Sequence, residues 1–158
     1  MIRQFKPGDE ESCSELSRAC IRHDMEIPSA LRLVLLEAES PRSMLERGGL
    51  FYMAVWETEG MVVALGGLDM NEIRLLLVSP AYQRRGIGRA VLEHLEAMVP
   101  PALFKNVFVY SALSAASFYR ARGYSPQGEH YFDLGDYRIP TIYMTKMLPA
   151  GRDPRSLA

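Results

Sequence analysis

The segment PAYQRRGIGRAVLEHLEAMVP (80–100) sets Arg84, Arg85 and Arg89 around Gly86 and Gly88, after one apolar run and before an apolar-periodic one. Guanidinium groups offer forked donors that match oxygen anions. Glycine lets an anion approach the backbone where a β-carbon would hold it away. A strand that runs into a helix start gathers free backbone N–H groups and the positive end of the helix dipole. Together these features predict a backbone cradle for a phosphate group rather than a plain connecting loop.

Two phosphate motifs are absent. The dinucleotide fingerprint needs a third glycine three residues after the second, and Val91 stands there. The Walker loop needs Gly-Lys-Ser/Thr, which does not occur. The 158 residues carry a formal net charge of −1, with 48% hydrophobic and 23% charged residues, an ordinary globular balance. Overall charge therefore gives no support to nucleic-acid binding. No apolar run approaches the roughly 20 residues of a membrane span. The N-terminal MIRQFKPGDEES has no apolar stretch followed by a small-residue cleavage site. A cytoplasmic protein with no membrane partner is expected. Cys13 and Cys20 lie two turns apart on one helix face, too far for a bridge, and read as reduced packing residues. His23 and His130 stand apart from other potential ligands, and His94 shares an apolar helix face with Val91 and Leu95. No metal site is expected.

The elements that must position the cradle follow from periodicity and breakers. MIRQFKP opens as a strand stopped by Pro7-Gly8, and Asp9 is placed to cap a helix in which Cys13, Leu16, Cys20 and Ile21 recur at helical spacing. Pro28 precedes a second helix that starts at a Ser29 cap and ends at Pro41, and PRSMLERGG adds a helical turn closed by glycine. LFYMAVWE and MVVALGGLDM flank TEG as a hairpin, with Tyr52 and Trp56 on one face as core residues. NEIRLLLVSP is a third consecutive strand. Ile87, Val91, Leu95 and Met98 then line a helix that ends at Pro100-Pro101. LFKNVFVY is a strand, SAASFYRARG a short helix closed by Gly123, residues 126–140 a loop, and TIYMTKML the last strand. Three strands followed by strand–helix alternation predict an α/β chain with a mixed sheet. One domain over 1–148 and a flexible tail over 149–158 fit the length and the tail's composition.

EIRLLLVSPAYQRRGIGRAVLEHLE resembles the acyl-CoA-binding motif of the GCN5-related N-acetyltransferase (GNAT) superfamily, with QRRGIG matching its Gln/Arg-x-x-Gly-x-Gly/Ala core. The family's second hallmark is similar to ASFYRARGY and its neighbours, through Ala115, Phe118, Tyr119, Gly123 and Tyr124. The resemblance implies antiparallel N-terminal strands, a splayed central strand pair and flanking helices. It implies acetyl-CoA as co-substrate and an amine acceptor, on a small molecule or a protein, and it is compatible with a homodimer. By the same resemblance the pyrophosphate lies on the backbone of Arg85, Gly86, Ile87, Gly88 and Arg89, in the loop that Gln83 and Arg84 open. The pantetheine arm pairs with the main chain of Leu76, Leu77 and Val78, freed by a bulge near Leu77, and the Val78 N–H polarises the thioester carbonyl.

Two residues then carry proton transfer. Glu72 starts the strand, and two-residue alternation sets Glu72, Arg74, Leu76 and Val78 on one face. Its position in EIRLLLV matches the catalytic glutamate of the histone-acetylating members, which makes it the candidate base; the competing reading is a solvated glutamate paired with Arg74. Tyr119 is the candidate acid, its hydroxyl with an ordinary pKa of roughly 10 serving the departing thiolate; the competing reading is packing. Ser114 either caps the helix or touches the pantetheine, and Phe118 is core or a wall of the groove. The acceptor pocket is expected from the N-terminal helices and the 126–140 loop, where Glu129, Asp133 and Asp136 could attract a cation. Two other functions use the same residues: a non-catalytic acyl-CoA sensor, and a regulator whose basic loop holds another phosphate ligand.

Overall fold

The computed structural model describes residues 1–152. Seven strands form one sheet: β1 (Ile2–Gln4), β2 (Tyr52–Thr58), β3 (Met61–Asp69), β4 (Glu72–Val78), β5 (Asn106–Ala112), β6 (Ser125–Leu134) and β7 (Tyr137–Met147). Their order is β1-β2-β3-β4-β5-β7-β6, and all neighbours are antiparallel except β4 and β5. Helices α1 (Glu10–His23), α2 (Ser29–Ala38) and α3 (Pro41–Leu50) separate β1 from β2. Helix α4 (Ile87–Met98) carries the crossover from β4 to β5, as a parallel pair requires, and α5 (Ala116–Arg120) joins β5 to β6. This is the mixed, mostly antiparallel sheet with flanking helices that the sequence implies.

The sheet has a core on each face. Helices α1 and α3 cover β2 to β4 on one side, burying Cys13, Leu16 and Met44 against Met53, Val55 and Leu65. On the other side α4 and α5 bury Val91, Leu92, Leu95 and Tyr119 against Val107, Val109 and Met144. Tyr52 and Trp56 pack against this second cluster, as their even spacing predicts.

Several local expectations are corrected. Asp9 precedes α1 without capping it through its side chain. Its carboxylate turns back to accept from the Arg3 guanidinium at 2.8 and 2.9 Å and from the Lys6 N–H at 2.9 Å. A bidentate charged pair outweighs one cap bond, and Arg3 holds the Asp9 carboxyl below its ordinary value. Pro28 rather than Ser29 occupies the cap position of α2. The segment after Pro41 is a full helix of 10 residues, capped by Ser40 accepting from the Ser43 N–H at 3.1 Å. Its glycines do not end it. A β-carbon at Gly48 would stand 2.7 Å from the Phe5 ring, so close packing is what glycine serves there.

The loop expected over 126–140 is instead most of edge strand β6 (Ser125–Leu134), a short turn and the start of β7 (Tyr137–Met147). Pro126 and Gly128 disguise the start of β6, where the register with β7 shifts, and an edge strand tolerates both. The beginning of the expected tail is anchored. Arg152 donates to the carbonyls of Glu96, Val99 and Phe104 at 3.2, 3.0 and 3.0 Å, satisfying groups at the C-terminal end of α4. The rest of that tail, residues 153–158, lies outside the described residues. Among the described residues no helix is long and apolar enough to cross a membrane.

Candidate active site

Strands β4 and β5 pair only at Glu72–Phe108 and Ile73–Val109. Beyond those pairs they part, although β4 continues to Val78 and β5 to Ala112. The Ser79 N–H donates to the Val63 carbonyl at 2.8 Å. By alternation the N–H groups of Leu75 and Leu77 also face β3, and those of Leu76 and Val78 face the gap. Leu77 thus spends its amide on β3 and its side chain on the α1 face. The Val78 carbonyl points into the gap as well, accepting from Gln83 Nε2 at 3.1 Å and from the Cys20 thiol at 3.4 Å. Burial pushes the Cys20 thiol up to about 11, so it stays a protonated donor at neutral pH.

The bulge sits at Arg74 rather than near Leu77, because Ile73 faces Leu68 while Leu75 faces Gly67. The extra residue switches the alternation. Ile73, Leu76 and Val78 pack on the α4 side, whereas Leu75 and Leu77 pack on the α1 side. Glu72, adjacent to Ile73 and level with Phe108, therefore points to the face opposite Leu76 and Val78, which corrects the expectation of one shared face. Arg74 lies 5.5 Å from the centre of the Phe51 ring and 3.5 Å from the Glu72 carboxylate. A partly exposed ion pair at that distance contributes little.

The segment expected to form the cradle, residues 83–89, lies at the open end of the gap. Gly86, the residue before α4, has φ +81°, and Arg84 has φ +64°. Turns of this kind gather successive N–H groups into an anion-binding concavity. The Ala90 N–H donates to the Gly86 carbonyl at 3.0 Å, so the N–H groups of Ile87, Gly88 and Arg89 precede the first intrahelical bond. The first turn of α4 carries no acidic residue to neutralise the dipole. Arg85 folds over Tyr82 and donates to the Ala81 carbonyl at 3.0 Å, and Arg89 pairs with Glu93 at 2.7 Å. Gly88 faces inward: a β-carbon there would meet Phe118 and Val78, each at 3.4 Å. Helix α4, helix α5 and strand β4 converge at this point.

Tyr119 is 5% exposed and packs edge-on against Phe118 at 5.2 Å and Tyr124 at 5.3 Å. Burial alone raises its pKa, so the hydroxyl keeps its proton at neutral pH. Ser114 does not cap α5. Its hydroxyl donates to the Asp24 carboxylate at 3.0 Å, tying the end of α1 to the corner between β5 and α5. Behind Tyr124 lies a group that sequence reading missed. The buried Glu96 carboxylate accepts from Lys146 at 2.7 Å and from the Tyr124 hydroxyl at 3.3 Å. Three elements distant in sequence meet there, and no local pattern announces them. Among the described residues no three metal-ligating side chains cluster.

The arrangement is thus a strand that parts from its neighbour and leads to a helix start with unpaired N–H groups, beside a buried neutral tyrosine. Residues 22–147 match the acetyltransferase (GNAT) domain family. The chain belongs to that family. No curated protein sequence matches it significantly. Its fold is similar to a GCN5-related N-acetyltransferase from Rhodopseudomonas palustris, at 20% identity and TM-score 0.87 over 94% of this chain and 95% of that one. It is also similar to the PaiA N-acetyltransferase of Thermoplasma acidophilum in complex with coenzyme A, at 16% identity and TM-score 0.73 over 94% and 98% of the two chains. A ribosomal-protein-alanine N-acetyltransferase from Brucella melitensis shares 20% identity and TM-score 0.68 over 94% and 99%.

Proposed function

We propose that the protein transfers an acetyl group from acetyl-CoA to a primary amine carried by a small molecule or a protein. The observation that carries this reading is the parting of β4 from β5 directly beside the acid-free start of α4. The free main-chain groups of Leu76 suit an amide of an extended pantetheine arm, much as an added strand would, whereas the Val78 carbonyl is already bonded to Gln83 and Cys20. The N–H groups of residues 85–89, with Gln83 and Arg84 at the loop's entry, suit the pyrophosphate. The coenzyme A held by the Thermoplasma relative adds support. Acetyl-CoA bound in this way supplies an activated acetyl thioester.

The chain's own groups then divide the work. The Val78 N–H faces the gap and is the candidate donor to the thioester oxygen. Glu72 accepts the ammonium proton of the acceptor through water. A rise of about 3.3 Å per residue sets Glu72 roughly 20 Å along the strand from Val78, so a chain of waters rather than direct contact carries the proton. As the new C–N bond forms and the C–S bond breaks, Tyr119 gives its proton to the sulfur. Ser114 and Phe118 border the arm. A cytoplasmic setting fits the two free thiols.

The test is release of coenzyme A thiol from acetyl-CoA in the presence of a panel of amines, with the product identified by mass. Equal amounts of free thiol and N-acetylated amine are expected. Tight acetyl-CoA binding with no thiol release from any amine would make the protein a sensor instead.

A further inference from the structure

Among the described residues, the half of the sheet made by β5, β7 and β6 is covered by α5 on one side only, and no helix packs extensively on its other side. Alternation decides what lies on that open side. Val107 and Val109 are buried in the core under α4, so Phe108 and Tyr110 point the opposite way. Tyr143 stands across from Tyr110 on β7, and His130 and Phe132 join from β6. The rings form an unbroken wall. Phe108 is 5.7 Å from Tyr143, Tyr143 is 5.3 Å from Tyr110, and Tyr110 is 4.6 Å from His130 and 5.2 Å from Phe132. Phe132 remains 43% exposed. Two carboxylates border the wall: Glu72 is paired with Phe108 at the closed end of the gap, and Asp69 stands across from Glu72 on β3, both on the wall's face, with the Arg74 guanidinium 3.5 Å from Glu72.

Two of the three acidic residues that might have drawn a polycation, Glu129 and Asp133, are directed elsewhere. Alternation along β6 sends Glu129 and Asp133 to the face opposite His130 and Phe132. There Glu129 accepts from the Tyr131 hydroxyl at 2.9 Å and Asp133 pairs with Arg138 at 3.2 Å. With Arg74 offsetting one of the two carboxylates, the open face offers several π surfaces and one net negative charge, a combination that suits one cation joined to one aromatic ring. Resting on the acetyltransferase reading, we infer that this aromatic wall of Phe108, Tyr143, Tyr110, His130 and Phe132, ending at Glu72, is the acceptor surface, and that its substrate class is the arylalkylamines. The ring stacks on the wall, and the ammonium lies between the carboxylate and the gap where the acetyl group arrives.

Binding and turnover are measured separately, on the full chain saturated with coenzyme A for the binding arm. Phenethylamine should bind about tenfold more tightly than hexylamine, which has the charge without the ring, and more tightly than spermidine. Tyr110→Leu with Phe132→Leu should reduce the phenethylamine preference to about twofold or less, with acetyl-CoA affinity unchanged. Phe132→Leu alone, at a ring already exposed, gives a part of that loss in a variant whose core is untouched. Equal binding of hexylamine and phenethylamine, or a preference for spermidine, would overturn the inference. So would a homodimer that the double substitution splits, since a second copy would then cover the wall. Thiol release with other amines but no phenethylamine binding would overturn the acceptor assignment and leave the reaction standing. Phenethylamine held through Tyr110 and Phe132 without any thiol release would keep the wall and overturn the reaction.

Discussion

Gly88 and Val78 meet across the mouth of the cleft, so closely that a β-carbon on the glycine would lie 3.4 Å from Val78 Cγ2 and 3.4 Å from the Phe118 ring. That separation is ordinary contact, so a methyl group fits and anything larger is forced toward the ligand channel. Gly88→Ala is expected to fold normally and to keep coenzyme A affinity within about threefold, an alanine being favourable in a helix. Gly88→Glu should weaken coenzyme A binding by about a hundredfold or more, because it fills the slot and sets a negative charge beside the pyrophosphate. Calorimetric titration of the two folded variants checks both. Wild-type affinity in Gly88→Glu would move the phosphate site elsewhere.

Glu72→Gln keeps the shape of the side chain and removes its ability to take a proton. As the base it should lose about a hundredfold to ten-thousandfold in kcat/KM for the amine, with acetyl-CoA affinity unchanged. The acidic limb of the pH profile should flatten, since nothing then titrates in the base's role. Arg74→Gln is the companion variant. If the 3.5 Å contact with Arg74 were the whole role of Glu72, both variants would show the same small change in melting temperature and full turnover.

Legibility followed sequence distance. Gln83 to Gly88 are contiguous, so spacing alone pointed to a phosphate cradle there, whereas the Phe118–Tyr119 motif on α5 was legible only through the family resemblance. The parallel contact of Glu72 with Phe108 spans a whole crossover, and only the resemblance foretold that β4 and β5 part. The Arg74 bulge left no trace, because no glycine or proline interrupts EIRLLLV to mark it. Missing it put Glu72 on the wrong face. Strand β6 was hidden by Pro126 and Gly128, and with it the alternation that separates His130 and Phe132 from Glu129 and Asp133. Bonds such as Ser114 to Asp24, 90 residues apart, and Cys20 to Val78, 58 apart, have no sequence pattern at all.

His94 provides a pH test of the fold. Its Nε2 lies 2.8 Å from the Tyr52 hydroxyl, and burial lowers its pKa. The unfolded chain, with an ordinary histidine value near about 6.5, then takes up the proton before the folded chain does. The stability His94 contributes is present above that value and is lost as pH falls through the depressed folded value. The melting temperature should therefore drop between about pH 7 and pH 5, and His94→Gln, which can still bond Tyr52 without charging, should show a shallower slope. Parallel slopes for the two proteins would remove His94 as the cause.

Tyr119→Phe separates chemistry from packing in one substitution. The ring is packed between Phe118 and Tyr124, and phenylalanine keeps those edge contacts. Burial is the sole cause of the raised pKa, with no hydrogen bond contributing, so deleting the hydroxyl strands no partner. The melting temperature should hold or rise slightly, unlike the loss of about 0.5–1.5 kcal/mol that follows removal of a bonded hydroxyl. If the hydroxyl protonates the departing thiolate, kcat should fall by about tenfold to a thousandfold while the KM for acetyl-CoA changes little. The raised pKa also means that Tyr119 stays protonated well above pH 7, so it contributes no alkaline limb below about pH 10. A more acidic thiol in the acetyl donor should narrow the gap between wild type and variant, because a better leaving group needs less protonation. Wild-type kcat in the folded variant would assign Tyr119 to packing and leave solvent as the proton donor.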